Sequence, residues 1–94
     1  MAAGRAEIWF VYLARCRDGT LYTGIARDVA ARIAAHDAGR GARYTRGRGP
    51  LELLATRRCR TKSEALRLEL SIKRLPRDAK EGAFARAARR RGRA

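Results

Sequence analysis

Acidic residues are scarce in this chain. Nine Asp and Glu face 23 Lys and Arg over 94 residues, a formal net charge of +14. A surplus of that size opposes compaction, and a polyanionic partner is the usual reason to carry it. Nucleic acid is the default partner, because each neutralised phosphate releases counterions. A coding bias toward Arg, Ala and Gly is the alternative source of the charge. Lysine is scarce too: only Lys62, Lys73 and Lys80 occur, so the basic surplus is almost wholly arginine. Cysteine is limited to Cys16 and Cys59, with no C-x-x-C spacing. These two read as reduced core residues of a cytoplasmic protein, with a disulfide as the alternative. The N-terminus lacks the apolar run of a signal peptide, and no stretch is long enough to span a bilayer. Composition therefore predicts a soluble, intracellular, cytoplasmic protein with no membrane partner. No internal repeat is present. A chain of this length makes one modest domain that buries roughly two-thirds of its unfolded surface.

What is present is ordered punctuation. Residues 8–14 are apolar without a break and rich in aromatic and β-branched side chains, which predicts a strand covered on both faces. Arg17-Asp18-Gly19-Thr20 is a turn signal, and residues 20–26 return as a second strand. Asp28 is a good N-cap for an Ala-rich helix from Val29 to about Ala38. Residues 37–50 are rich in Gly and Arg and read as a flexible basic loop. Residues 51–59 are a third strand candidate. Thr61-Lys62-Ser63-Glu64 is a capping box opening a helix to about Leu75. Pro76 suits the first turn of a last helix over roughly 76–90. A basic tail, about 86–94, follows a core of about 8–80 in a single 1–94 domain. The order β-β-α-β-α-α predicts a small α/β layer fold.

Helical spacing places several polar groups against the sheet. Val29 and Ile33 define the inner stripe of the first helix. His36 projects close to that stripe, with Arg32 at its edge, and the two are four residues apart. A half-buried guanidinium needs an anion. On the second long helix, Ala65, Leu68, Ile72 and Leu75 form one apolar stripe. Leu66 and Leu70 form another, expected to receive the last helix through Ala83 and Phe84. Glu69 lies between the stripes. A carboxylate there needs a partner, either Lys73 at i,i+4 or a metal.

Tyr12 and Tyr22 complete the set of chemistry-bearing residues. An isolated phenol ionises near pH 10, too high for a base at neutral pH. Neighbouring Arg32 and Arg27 are expected to lower that value and favour the phenolate. The bland reading of Tyr12 is a strand core residue. Hairpin register decides whether the tyrosines cooperate. A two-residue Asp18-Gly19 turn puts them on opposite faces. A three-residue loop with Gly19 left-handed puts them on one face. Sequence leaves both registers open.

Phe10-Val11-Tyr12 followed by Tyr22-Thr23-Gly24 resembles the paired signature of GIY-YIG nucleases. Arg32 and His36 stand where that family's helix carries Arg and His. Glu69 resembles the family's single metal-binding Glu. The segment Gly41–Arg46 looks like the basic loop of its small stand-alone bacterial members. The likeness covers roughly residues 8–80. Phe10, Val11 and Thr23 depart from the signature, while both tyrosines and Gly24 are kept. Phe10 adds bulk, and a strand glycine permits close approach of a backbone or ligand.

The resemblance implies a three-stranded antiparallel sheet flanked by helices, with both tyrosines at one pocket, and hence an odd-length hairpin loop. It also implies hydrolysis of phosphodiester bonds with one divalent cation, Mg²⁺ or Mn²⁺, and a place in DNA repair or recombination. Carried onto this chain, Tyr12 is the base or orients water, and Tyr22 assists. Arg32 stabilises the scissile phosphate, His36 positions the nucleophile or relays its proton, and Glu69 holds the metal. Arg27, Arg40, Arg43, Arg46, Arg48 and Lys73 are expected to grip the backbone of DNA, with RNA as the other polymer. Tyr44 is placed to stack on a base. No separate specificity domain is visible, which points to low sequence specificity, selection of a structure, or a protein partner that supplies the choice. The competing reading is a non-catalytic nucleic-acid-binding module on the same fold.

Overall fold

A computed structural model describes residues 7–39 and 50–84. Three strands, β1 (Trp9–Arg15), β2 (Leu21–Ala26) and β3 (Glu52–Cys59), form one antiparallel sheet in the order β2-β1-β3. Two long helices are α1 (Val29–Asp37) and α2 (Lys62–Lys73). A third, α3, covers residues 77–84 of the described chain. The expected order β-β-α-β-α-α is the observed one. The expected basic loop, with Arg40, Arg43, Tyr44, Arg46 and Arg48, and the C-terminal arginine tail lie outside the described residues.

The central strand is apolar from Trp9 to Ala14 because both of its faces are covered there. Val11, Tyr12, Leu13 and Ala14 have no solvent exposure. Val11 and Leu13 join Cys59 and the α2 residues Ala65 and Ile72 in one cluster, with Phe84 of α3. Tyr12, Ala14 and Cys16 face the other way, toward Val29 and Ile33 of α1 and toward Leu51. The sheet is therefore the middle of three layers. Cys16 and Cys59 are both buried thiols. They belong to opposite clusters.

Local chemistry matches the punctuation in the sequence. Asp28 caps α1 by accepting from the Ala31 N–H at 3.0 Å. Thr61 Oγ1 accepts from the Glu64 N–H, and Glu64 in turn accepts from the Arg60 N–H, one residue before the cap. The chain returns from α1 to β3 under a tie: the Leu51 N–H donates to Asp37 Oδ1 at 2.8 Å. Leu54 is an extra residue on β3 between Leu53, opposite Ala14, and Ala55, opposite Leu13. That bulge lies near the start of β3, where the chain has just returned from α1.

One packing expectation is overturned. Leu66 and Leu70 remain 45% and 51% exposed. The last helix instead sends Phe84 to the cluster of Val11, Leu13 and Ile72, with Ala83 beside it. Lys80 fixes this position. Its ammonium donates to the carbonyls of Ile72 and Lys73 at the end of α2. The turn through Arg74 and Leu75 thus steers α3 away from the Leu66–Leu70 stripe.

The hairpin loop has three residues, Arg17-Asp18-Gly19. Cys16 and Thr20 close it through Cys16 N–H to Thr20 O at 2.8 Å and Gly19 N–H to Cys16 O at 2.9 Å. Gly19 has φ +88°, a conformation that side chains resist. Tyr12 pairs with Gly24, and Ala14 with Tyr22. The odd-length loop is thus present, and both tyrosines share a face. A Cβ on Gly19 meets no atom within 4 Å, so its cost is purely conformational. Gly19→Ala is expected to lower stability by about 1–2 kcal/mol. Urea unfolding of the two proteins checks it, and no loss would mean the turn tolerates another conformation.

Candidate active site

Tyr12 is the centre of a buried polar cluster. Its hydroxyl lies 3.0 Å from His36 Nε2. The Tyr22 ring is 6.1 Å from that of Tyr12 and 5.2 Å from the imidazole, edge-on to the latter. His36 is 2% exposed, as its position beside the Val29–Ile33 stripe predicts. Arg32, by contrast, is exposed. It is not buried as His36 is, but its guanidinium still acts on the Tyr12 hydroxyl, through charge and a side-chain hydrogen bond.

Gly24 explains how the ring of Tyr12 lies. A Cβ built there would fall 2.7 Å from the Tyr12 hydroxyl oxygen, 2.8 Å from its Cζ and 3.0 Å from Tyr22 Cε2. The anticipated close approach is therefore made by the two tyrosines themselves. The Tyr12 ring lies over the edge strand β2, and its hydroxyl is carried toward the sheet edge. Strand alternation also sorts the departures from the signature. Val11 and Thr23 are buried on the opposite face, opposite Ile25 and Leu13. Of the three departures, Phe10 alone shares the face of the tyrosines.

The electrostatics reverse one expectation. The Tyr12 phenol is pushed up to about 12, not down. Burial is the largest cause, reinforced by Tyr22 and by Glu69, and it outweighs the opposing pull of Arg32. Arg27 is not among these influences. Phenolate is thus disfavoured in the chain alone. His36 moves the other way. Burial first, then Arg32, hold its imidazole below the ordinary value, with Asp37 opposing. A neutral imidazole therefore sits against a protonated phenol at neutral pH.

Glu69, on α2, bears on this cluster through its charge. Its carboxylate is mostly covered and pairs with Lys73 Nζ at 3.3 Å. Lys73 is thus occupied with Glu69, alongside its expected phosphate role. Among the described residues, no group of three or more His, Cys, Asp and Glu is arranged to hold a metal. The donor set is one carboxylate. That suits a hard cation that keeps most of its water and takes its remaining ligands from substrate phosphate; it does not suit a closed protein cage. Arg27 lies on the exposed surface beside Arg32, where both line a cleft with Trp9 and Lys62. Sequence reading missed Trp9 and Lys62. Trp9 sits in an apolar run that reads as strand core, and nothing local links it to the first residue of α2.

The GIY-YIG catalytic domain model matches residues 8–82. This chain belongs to the GIY-YIG family. A UPF0213 protein of Nitratidesulfovibrio vulgaris is 52% identical over 81 residues, covering 85% of this chain and 74% of the relative. One of Halobacterium salinarum is 53% identical over 74 residues, covering 79% and 96%. The solution structure of a UPF0213 protein from Bacillus halodurans has 46% identity, covers 83% of each chain and gives a TM-score of 0.52. The chain is thus similar to small stand-alone GIY-YIG proteins. Members of this family are nucleases, generally dependent on a divalent metal, and the domain implies a nucleic-acid substrate. No described helix is long and apolar enough to cross a membrane.

Two outcomes follow from the geometry. Gly24→Ala forces both tyrosine rings to move and is expected to cost about 1–3 kcal/mol by overpacking. The Tyr22 ring and the imidazole should then lose their edge contact, visible as shifted aromatic NMR resonances. Unaltered resonances and unaltered stability would contradict the tight fit. His36 also predicts a pH dependence. Its folded value lies below the ordinary 6.5, so the unfolded chain binds the proton more readily. The associated stability is complete above about pH 6.5 and is lost as pH falls through the folded value. Urea unfolding over roughly pH 5–7 should show this loss, at most about 1.4 kcal/mol per pH unit from one proton. His36→Gln should remove that part of the slope.

Proposed function

We propose that this protein is a divalent-metal-dependent endonuclease that cuts phosphodiester bonds in DNA with little sequence preference. The observation that carries the reading is the 3.0 Å contact between Tyr12 and His36, beside Tyr22 and over Gly24. With hydrogen on Nδ1, His36 Nε2 accepts from the Tyr12 hydroxyl. The phenol passes its proton to the imidazole as it takes one from the attacking water. A neutral His36 is ready to accept, which offsets the reluctance of a buried phenol to ionise. Arg32, exposed at the edge of the cluster and bearing on Tyr12, meets the scissile phosphate and stabilises the charge that grows there. Tyr22 holds the imidazole edge-on and borders the phosphate. Glu69 would hold Mg²⁺ or Mn²⁺, an ion that when bound supplies charge neutralisation and a lower pKa for its water.

Substrate grip falls to arginine in this reading. Arg27 extends the surface beside Arg32. Arg40, Arg43, Arg46, Arg48 and Tyr44 in the basic segment, with the C-terminal arginines, add non-specific hold on the backbone. The whole chain acts as one cytoplasmic domain, and a protein partner supplies any choice of site. RNA is the second polymer to test.

A binding module without catalysis is the second reading. The raised phenol of Tyr12 and the Glu69–Lys73 ion pair favour it, because both describe a site at rest. The two part on one assay. Purified protein is incubated with plasmid, single-stranded and branched DNA, with Mg²⁺, Mn²⁺ or a chelator. Cleavage should need the metal and fall by about 100-fold or more in Glu69→Ala and Tyr12→Phe. Unchanged cutting by Glu69→Ala would assign the activity to a contaminant. Binding with no cutting on every substrate would favour the module.

A further inference from the structure

Beside the tyrosine cluster runs a cleft of about 550 Å³, lined by Trp9, Ile25, Arg27, Asp28, Arg32 and Lys62 among others. It lies where β1 begins and β2 ends, between the first turns of α1 and α2. We propose that this cleft is a nucleotide subsite, which takes the base and phosphate of the residue next to the scissile bond. The proposal rests on the nuclease reading for the direction of the strand, but the binding itself does not require cleavage.

Three observations converge on that ligand. Arg32 belongs to both places: it acts on Tyr12 and lines the cleft, so a strand lying on it enters one from the other. Three cations line the cleft against the single carboxylate of Asp28, and that carboxylate already accepts the Ala31 N–H as a helix cap. An anion is therefore the favoured guest. Lys62 holds its ammonium 5.2 Å from the centroid of the Trp9 ring. A phosphate that meets Lys62 leaves its base beside an aromatic wall, the pairing of charge and ring that nucleotides use. A plain acidic peptide would use the cations but not the ring.

Trp9 is the only tryptophan in the chain, so its fluorescence reports this cleft alone. Whole protein is titrated with thymidine 5′-monophosphate, with deoxyribose 5-phosphate and with inorganic phosphate, without added metal. The nucleotide should change Trp9 emission and bind at least about fivefold tighter than phosphate, the worth of one base against one ring. Lys62→Ala and Arg27→Ala should each weaken it by about threefold or more, with circular dichroism confirming that both variants fold. Tyr12→Phe, inert if the nuclease reading holds, should bind the nucleotide as the parent does. Equal responses to nucleotide and phosphate would mark a simple anion site and overturn the subsite. No response in a protein that cuts DNA would overturn the subsite and leave the nuclease standing. A response in a protein that cuts nothing would do the reverse.

Discussion

Parity in the β1–β2 hairpin is set by the closed turn from Cys16 to Thr20. Gly19 adopts φ +88° there, and the Gly19 N–H to Cys16 O bond holds the loop at three residues. Side chains alternate along a strand, so a one-residue slip would carry Tyr22 to the face of Val11 and Leu13. The same slip would replace Gly24 by Ile25 opposite Tyr12. A branched side chain cannot occupy a place where even a Cβ would come within 3.0 Å of both tyrosines. The turn and the strand glycine are therefore two parts of one requirement. The first brings the rings to one face, and the second gives them room to lie flat.

Burial sets the resting chemistry of the cluster that results. Charge alone would have Arg32 draw the phenol toward ionisation, which is the simple reading of a tyrosine among arginines. Desolvation of a ring with no exposed surface is the larger effect, and Tyr22 and Glu69 add to it. The same burial keeps the imidazole neutral. The pair is thus matched: a hydroxyl that holds its proton faces a neutral imidazole. A cluster built on an exposed tyrosine would have lacked this complementarity, since neither group would have been displaced from its ordinary range.

Much of this was legible in residue order, and the failures share a cause. Asp28, Thr61 and Glu64 announce their helices because capping is a local transaction between neighbours. Periodicity placed His36 inside because the stripe of Val29 and Ile33 passes beside it. Leu66 and Leu70 misled because a helix with two apolar stripes offers two docking sites, and sequence does not say which one is filled. Lys80 decides it by bonding to the end of α2, a contact made only after the chain turns. The Tyr12 phenol misled for a related reason. Counting nearby charges requires only sequence, whereas desolvation depends on everything that covers the ring. Trp9 and Lys62 meet only in three dimensions.

The position of the site follows from the layering. Helices α1 and α2 pack on opposite faces of the sheet, so their side chains are separated by the sheet itself. His36 and Glu69 both act on one hydroxyl all the same. That is possible only at a margin of the sheet. The sheet order makes β2 an edge strand, and the missing side chain of Gly24 lets Tyr12 extend from the central strand across it. An edge is otherwise a liability, since its free backbone groups invite pairing with another chain. Here part of that edge is occupied by the meeting of two layers, and Arg27, Arg32 and Lys62 place positive charge along the cleft that continues from it. That positive charge also defends the edge, because a charged margin discourages pairing with another strand.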